Sequence, residues 1–277
     1  MNSFLKLCVL KFAAVIFFVA SPLTAGATDV QKLAQRAQSS DISIESILAD
    51  LRGRSTQSQY EAFANAIRHS PALAAQLNEL VRAGLLTRIS IDSGEASQGR
   101  SFGAMRSGST WVFTPSFVAD QGPRRIHDVV SDDDILPDNM VFALGFMAWR
   151  TTHDEEVTKA LGAMRESTDA PMAKMEWLVK LNIRIDAGAF IQGWNDVVDA
   201  AVRQNRGVPL TVSQGNALMM NLRYRGPLLK AVTAASPNPK LRMESSSIPY
   251  DMKNVAALAS ALQESQLIDI QPMNMRP

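Results

Sequence analysis

The pattern of apolar and polar residues is most distinctive at residues 137–156. Pro137 and Asp138 form a helix-entry signal, in which Asp138 is placed to cap the backbone amides of Met140 and Val141. Apolar residues then occupy almost every side of the predicted helix: Met140, Val141, Leu144, Phe146, Met147 and Trp149. A helix with this pattern is buried on most sides. The sequence therefore predicts a central buried helix whose polar end, residues 151–156, returns to solvent.

Helical spacing also occurs before and after this stretch. Short helices are predicted in an N-terminal helical region, residues 28–84, at positions 30–37, 43–52, 57–69 and 71–81. After a break at 168–171, the apolar spacing predicts a second long buried helix at 172–205. Shorter helices are predicted after it, at 213–222, 227–234 and 252–265.

Between these helical regions the apolar spacing changes to two, which is typical of strands. Residues 85–92 alternate apolar and polar, and segments 100–106 and 109–115 flank Ser107 and Gly108, a predicted hairpin turn. The sequence thus predicts an α+β fold that is predominantly helical, with a small antiparallel sheet edging two long buried helices. Residues 85–277 are expected to form this α+β domain, with a helical C-terminal part.

The first 27 residues have the features of a secretory signal peptide. Two lysines without an acid precede an apolar run at 12–20, and Ala25, Gly26 and Ala27 supply a small-residue cleavage pattern. We expect cleavage after Ala27 and a periplasmic or secreted bacterial protein. The apolar run is too short to span a membrane, and no later run reaches ~18 residues. No stable membrane insertion is therefore expected after cleavage.

Charge and cysteine content narrow the possible partners and chemistry. The chain has a formal charge of +1, and removing the two lysines of the leader leaves −1. A near-neutral balance gives no reason to expect a nucleic acid or an anionic lipid surface as partner. Cys8, the single cysteine, lies in the leader. The mature chain is therefore expected to have no disulfide and no zinc-thiolate site.

The order of these elements, over roughly residues 85–205, resembles a zincin metallopeptidase of the gluzincin kind. The residues that carry the resemblance are STWVFTP at 109–115, NMVFALG at 139–145 and DAGAF at 186–190. In that family a strand edges the cleft, one buried helix carries the motif His-Glu-x-x-His, and the next helix supplies an acidic third zinc ligand. The resemblance therefore implies a zincin-like fold.

The residues at the catalytic positions depart from the family. In its register the two histidines would fall at Phe146 and Arg150, and the catalytic glutamate at Met147. A phenyl ring and a guanidinium offer no lone pair to Zn²⁺, and a thioether is no general base. Asp186 alone keeps an acidic group, at the third-ligand position. The resemblance thus implies an inactive relative with no metal and no other cofactor.

Groups that bind one ion lie close together, so the resemblance also implies that Arg150 and Asp186 meet. We expect a charge-assisted pair between the two long helices; the alternative is that both are solvated surface charges. A possible binding cleft would be lined by Trp111, Phe113 and His153.

Two other groups of polar residues fit metal sites poorly. His153 and Glu156 have helical spacing but lack further ligands, and we interpret them as a solvated helix end. Residues 132–134 are three aspartates that lack the spaced ligands and glycine of an EF-hand loop, so an exposed acidic turn is expected.

The sequence is interpreted as an exported, catalytically inactive metallopeptidase-like protein. It would act by binding another protein in the bacterial envelope, for example as an immunity or inhibitor protein. The alternatives are an unrecognised periplasmic hydrolase, built on Asp186, His153 or the acidic turn, and a secreted effector. The identity of the partner and the oligomeric state stay open.

Overall fold

The structure is a computed structural model that describes residues 43–92, 104–128, 135–236 and 238–265. This part of the chain is predominantly helical and contains a small mixed sheet. Its helices are α1 (Ile44–Arg52), α2 (Gln57–His69), α3 (Pro71–Arg82), α4 (Pro115–Ala119), α5 (Asn139–Thr152), α6 (Asp154–Glu166), α7 (Pro171–Gln204), α8 (Val212–Asn221), α9 (Arg225–Thr233) and α10 (Met252–Glu264). The predicted leader, the helix at 30–37 and the three aspartates at 132–134 lie outside the described residues.

The central helix begins where the sequence predicts. Asp138 Oδ1 accepts hydrogen bonds from the amides of Met140 and Val141 at 3.0 and 3.4 Å, so the predicted cap is confirmed. The helix ends earlier than predicted, at Thr152, and α6 begins after His153. Three acidic residues in the first turn of α6 explain the new start, since the positive end of a helix dipole favours carboxylates there.

The sheet contains β1 (Arg88–Ile91), β2 (Ala104–Ser107) and β3 (Thr110–Phe113), in the order β1-β3-β2. β2 and β3 form the predicted antiparallel hairpin, and Gly108 in its turn has φ +60°. The prediction of an all-antiparallel sheet is wrong, because β1 pairs with β3 in parallel. β1 and β2 lie on opposite edges of the sheet with β3 between them, and β3 is parallel to β1 and antiparallel to β2.

The helices α5 and α7 pack closely and run antiparallel. Gly188 lies against the indole of Trp149 and Gly193 lies against Phe142, so earlier residues of α5 meet later residues of α7. A Cβ at Gly188 would come within 2.6 Å of Trp149 Nε1. Glycine at this position therefore sets how closely the two helices approach.

The N-terminal helices share the hydrophobic core of α5 and α7. Buried side chains of α1, α2 and α3 belong to the same cluster as those of β3, α5, α7 and α10. A second, smaller cluster joins α6 to the first half of α7, and it consists of Val157, Ala160, Leu181 and Ile185. Among the described residues, no helix is both long and apolar enough to cross a membrane.

Candidate functional site

The packing of α5 against α7 brings Arg150 and Asp186 together. Arg150 Nη1 donates to Asp186 Oδ1 in an ion pair that joins the two helices. The arginine side chain is 38% exposed and the aspartate side chain 18% exposed, so the pair lies at the edge of the core. The two long helices are thus bridged at the positions where the gluzincin resemblance would place two zinc ligands.

Aromatic rings fill the helix contact one turn deeper. The ring centroid of Phe146 lies 5.6 Å from that of Phe190, with the rings edge to face, and 6.5 Å from that of Phe142. Phe142 also meets Phe190 edge to face at 5.5 Å. Met147 is buried among core residues. Phe146 and Met147 therefore serve as apolar packing between the helices.

Burial and the arginine act in opposite directions on Asp186. Desolvation raises the pKa of the Asp186 carboxyl above its ordinary value, and the charge and hydrogen bond of Arg150 lower it by less. The net pKa is raised, because a largely buried carboxylate loses more hydration than one partly exposed guanidinium returns. The pair is therefore held together at a desolvation cost.

Trp111 and Phe113 do not line an open cleft, so this part of the predicted cleft is wrong. Both side chains are fully buried, because the face of β3 that carries them packs into the core. Trp111 Nε1 donates to Thr151 Oγ1 on α5 at 3.1 Å, and Phe113 meets Phe63 edge to face at 5.0 Å. These two residues tie the sheet to α5 and α2.

His153 belongs to an aromatic cluster that begins one residue from the ion pair. Its ring stacks on Trp149 at 4.3 Å between centroids, and Trp149 meets Tyr250 at 4.7 Å. His153 Nδ1 also lies 2.9 Å from the carbonyl oxygen of Trp149. Tyr250 is 56% exposed, so Trp149, His153 and Tyr250 form an aromatic cluster that reaches the surface. Glu156, which the sequence places with His153 at a solvated helix end, forms an exposed ion pair with Arg184 of α7.

Side chains of α7 fix the loop that carries Tyr250. Trp194 Nε1 donates to the carbonyl oxygen of Ser246 at 2.7 Å. Asn195 exchanges two hydrogen bonds with the backbone of Ile248, at 2.9 and 2.8 Å. The loop is thus anchored before it reaches α10. Sequence reasoning missed Tyr250 because this residue is far from Trp149 along the chain.

Asp196 is a second buried carboxyl group of α7 that sequence reasoning missed. Its Oδ1 accepts hydrogen bonds from Gln76 Nε2 at 2.9 Å and from Gln192 Nε2 at 3.1 Å. Its Oδ2 has no hydrogen-bond partner among the described residues. Burial raises the pKa of this carboxyl to about 7. Burial therefore favours the protonated form of Asp196 well above the ordinary carboxyl range.

Within residues 43–92, 104–128, 135–236 and 238–265, no group of three or more His, Cys, Asp or Glu side chains is arranged to hold a metal ion. Comparison of the chain with protein-family models, with curated proteins and with solved structures found no match. The geometry of the site itself is therefore the basis for assigning a function.

Proposed function

We propose that this chain is an exported, catalytically inactive, zincin-like protein that acts by binding another protein in the bacterial envelope. The observation that carries the proposal is the Arg150–Asp186 ion pair. In the gluzincin register it occupies two ligand positions, and a fixed positive charge takes the place of the metal next to the remaining carboxylate.

The side chains at the other two positions support the loss of catalysis. Phe146 packs on Phe190, and Met147 is buried. Neither side chain offers a zinc ligand or a group that could accept a proton from water. The carboxylate of Asp186 is already engaged by Arg150. Hydrolysis by the zincin mechanism needs two further zinc ligands and a general base. Phe146, Arg150 and Met147 do not supply these groups.

The surface beside the ion pair supports a binding role. Trp149, His153 and Tyr250 form a partly exposed aromatic cluster, and Met252, two residues after Tyr250, is exposed. Aromatic residues and methionine are enriched in protein interfaces, and large rigid rings are frequent binding hot spots. An immunity protein or an enzyme inhibitor is the kind of envelope protein we propose, and the signal-peptide features of residues 1–27 support export.

Metal content and peptidase activity test the loss of catalysis. The protein would be expressed with its own leader, purified without chelators or a metal-affinity tag, and analysed by mass spectrometry for zinc. We expect far less than one zinc per chain and no hydrolysis of a mixed peptide library. Zinc at one per chain, together with peptide hydrolysis that a chelator abolishes, would overturn the proposal.

Binding is tested by purification from the native envelope with single substitutions at the aromatic cluster. Tyr250→Ala should reduce recovery of the partner at least tenfold, since a central aromatic contact is often worth ~2 kcal/mol or more. Val212→Ala, which truncates an exposed apolar residue on α8, serves as the matched control and should leave recovery unchanged. A wild-type protein that elutes alone, or equal losses in both variants, would contradict a binding role for the cluster.

A further inference from the structure

Two carboxyl groups of α7 hold α3 in place. Asp199 Oδ2 accepts hydrogen bonds from Ser70 Oγ at 2.8 Å and from the amide of Ala72 at 3.2 Å. One turn earlier, Asp196 Oδ1 accepts from Gln76 Nε2 at 2.9 Å. The first two turns of α3 are therefore attached to α7 through these two side chains.

The two carboxyl groups differ in how well their charge is satisfied. Asp199 lies at the N-terminus of α3, where the helix dipole and a free backbone amide favour a carboxylate. Asp196 is 1% exposed, and its Oδ2 has no hydrogen-bond partner among the described residues. That oxygen lies so close to the backbone of Gly145 that a Cβ there would overlap it. Ionised Asp196 would therefore be a buried charge without a compensating cation.

Among the described residues, the groups that interact with the Asp196 side chain are two neutral amides and one carboxylate. α3 presents the neutral amide of Gln76, and α7 presents the amide of Gln192 and the carboxylate of Asp199, which disfavours ionisation of Asp196. On α5, the backbone of Gly145 lies against Asp196 Oδ2. His69, at the end of α2, has its Nδ1 atom 3.5 Å from Asp138 Oδ2.

We propose that Asp196 is a pH-sensitive latch: its neutral form keeps α3 against α5 and α7, and its ionised form loosens α3. When α3 separates, Asp196 reaches water and regains an ordinary carboxyl pKa, whereas the closed form holds that pKa near 7. The closed form therefore binds more protons than the open form between these two values. The opening constant of α3 should rise up to about tenfold per pH unit over this range and level off above it.

Amide hydrogen exchange from pH 5 to pH 8, corrected for the intrinsic pH dependence of exchange, measures this opening. Amides of α3 should exchange at least tenfold faster than those of α10, because α3 opens on its own. Their opening constant should rise about 50-fold from pH 5 to pH 7 and by a further factor of about two to pH 8, where it levels off. Asp196→Asn should remove the rise. Glu79→Gln, which neutralises an exposed carboxyl group on α3, should leave it unchanged.

Three results would overturn the latch. The first is equal exchange in α3 and α10 at every pH, since opening would then be global. The second is an undiminished rise in Asp196→Asn. The third comes from a ¹³C NMR titration of the wild-type carboxyl groups, which needs no variant to fold: titration of Asp196 in the ordinary carboxyl range would remove the basis of the latch.

Discussion

Breaking the Arg150–Asp186 pair should reveal a measurable coupling between α5 and α7. Removing one partner of a fully buried pair typically costs ~3–5 kcal/mol, whereas an exposed pair contributes ~0–1 kcal/mol. At 38% and 18% side-chain exposure this pair lies between these limits, and the exposed part of the guanidinium is screened by water. We therefore expect a coupling free energy of ~1–2 kcal/mol between the two residues.

The two single substitutions should differ in size. Arg150→Met leaves a carboxylate in a site where burial already raises its pKa, and should lower the free energy of unfolding by ~2–3 kcal/mol. Asp186→Asn leaves a guanidinium that still reaches water and also removes the cost of desolvating the carboxylate, so it should change the free energy of unfolding by less than ~1 kcal/mol. Because protonation neutralises Asp186, the effect of Arg150→Met should shrink as the pH falls through the raised pKa of that carboxyl.

Urea unfolding of the wild type, both single variants and the double variant at pH 7.5 gives the coupling directly. Arg184 and Glu156, which join α6 to α7 with side chains 47% and 43% exposed, form a matched control pair. The same cycle on that pair, with Arg184→Met and Glu156→Gln, should give less than ~0.5 kcal/mol. Additive effects at Arg150 and Asp186, no larger than in the control, would refute the reasoning.

Four substitutions test the packing and the buried polar groups. Burial raises the pKa of the Asp196 carboxyl to about 7, so the wild type loses stability as this group ionises. The free energy of unfolding of Asp196→Asn, relative to wild type, should therefore rise by ~3 kcal/mol between pH 5 and pH 8. Urea unfolding at both pH values measures this difference, and a difference that stays constant would contradict the prediction. Gly188→Ala forces a Cβ into the indole ring of Trp149 and should cost ~2 kcal/mol or more. Gly162→Ala adds a Cβ in open space in the interior of α6 and should stabilise by ~0.5–1 kcal/mol. A shift of the thermal unfolding midpoint in the same direction for both variants would be inconsistent with this packing. Tyr224→Phe removes a 2.7 Å hydrogen bond to a buried glutamine oxygen and should cost ~1–2 kcal/mol in urea unfolding, and an unchanged midpoint would show that the bond is not needed.

Features decided by neighbouring residues could be predicted from the sequence. The cap at Asp138 depends on residues two and three positions away, and the structure shows it. The second long helix, predicted at 172–205, spans Pro171–Gln204, because proline is favoured in the first turn and Gly207 follows the end. The turn at Gly108 is equally local, since its positive φ suits glycine.

Features decided by the path of the chain could not be predicted. The parallel pairing of β1 with β3 is a choice of strand order and direction, which alternation of side chains does not specify. Trp149 meets Tyr250 only because α7 anchors a distant loop. The burial of Trp111 shows the same limit, because alternation predicts which residues share a face but not which face the core covers.

Burial acts on two carboxyl groups of α7, fully on Asp196 and partly on Asp186, and within the described residues only Asp186 has a positive charge beside it. Burial raises the pKa of both Asp186 and Asp196, so each is costly to keep ionised. Asp196 faces two amides and the backbone of Gly145, and tends to hold its proton. Asp186 faces Arg150, whose charge opposes the effect of burial. Under the proposed function, a zincin that loses its metal leaves one buried carboxylate without a cation, and arginine at a former ligand position removes a zinc ligand and supplies that cation in a single change.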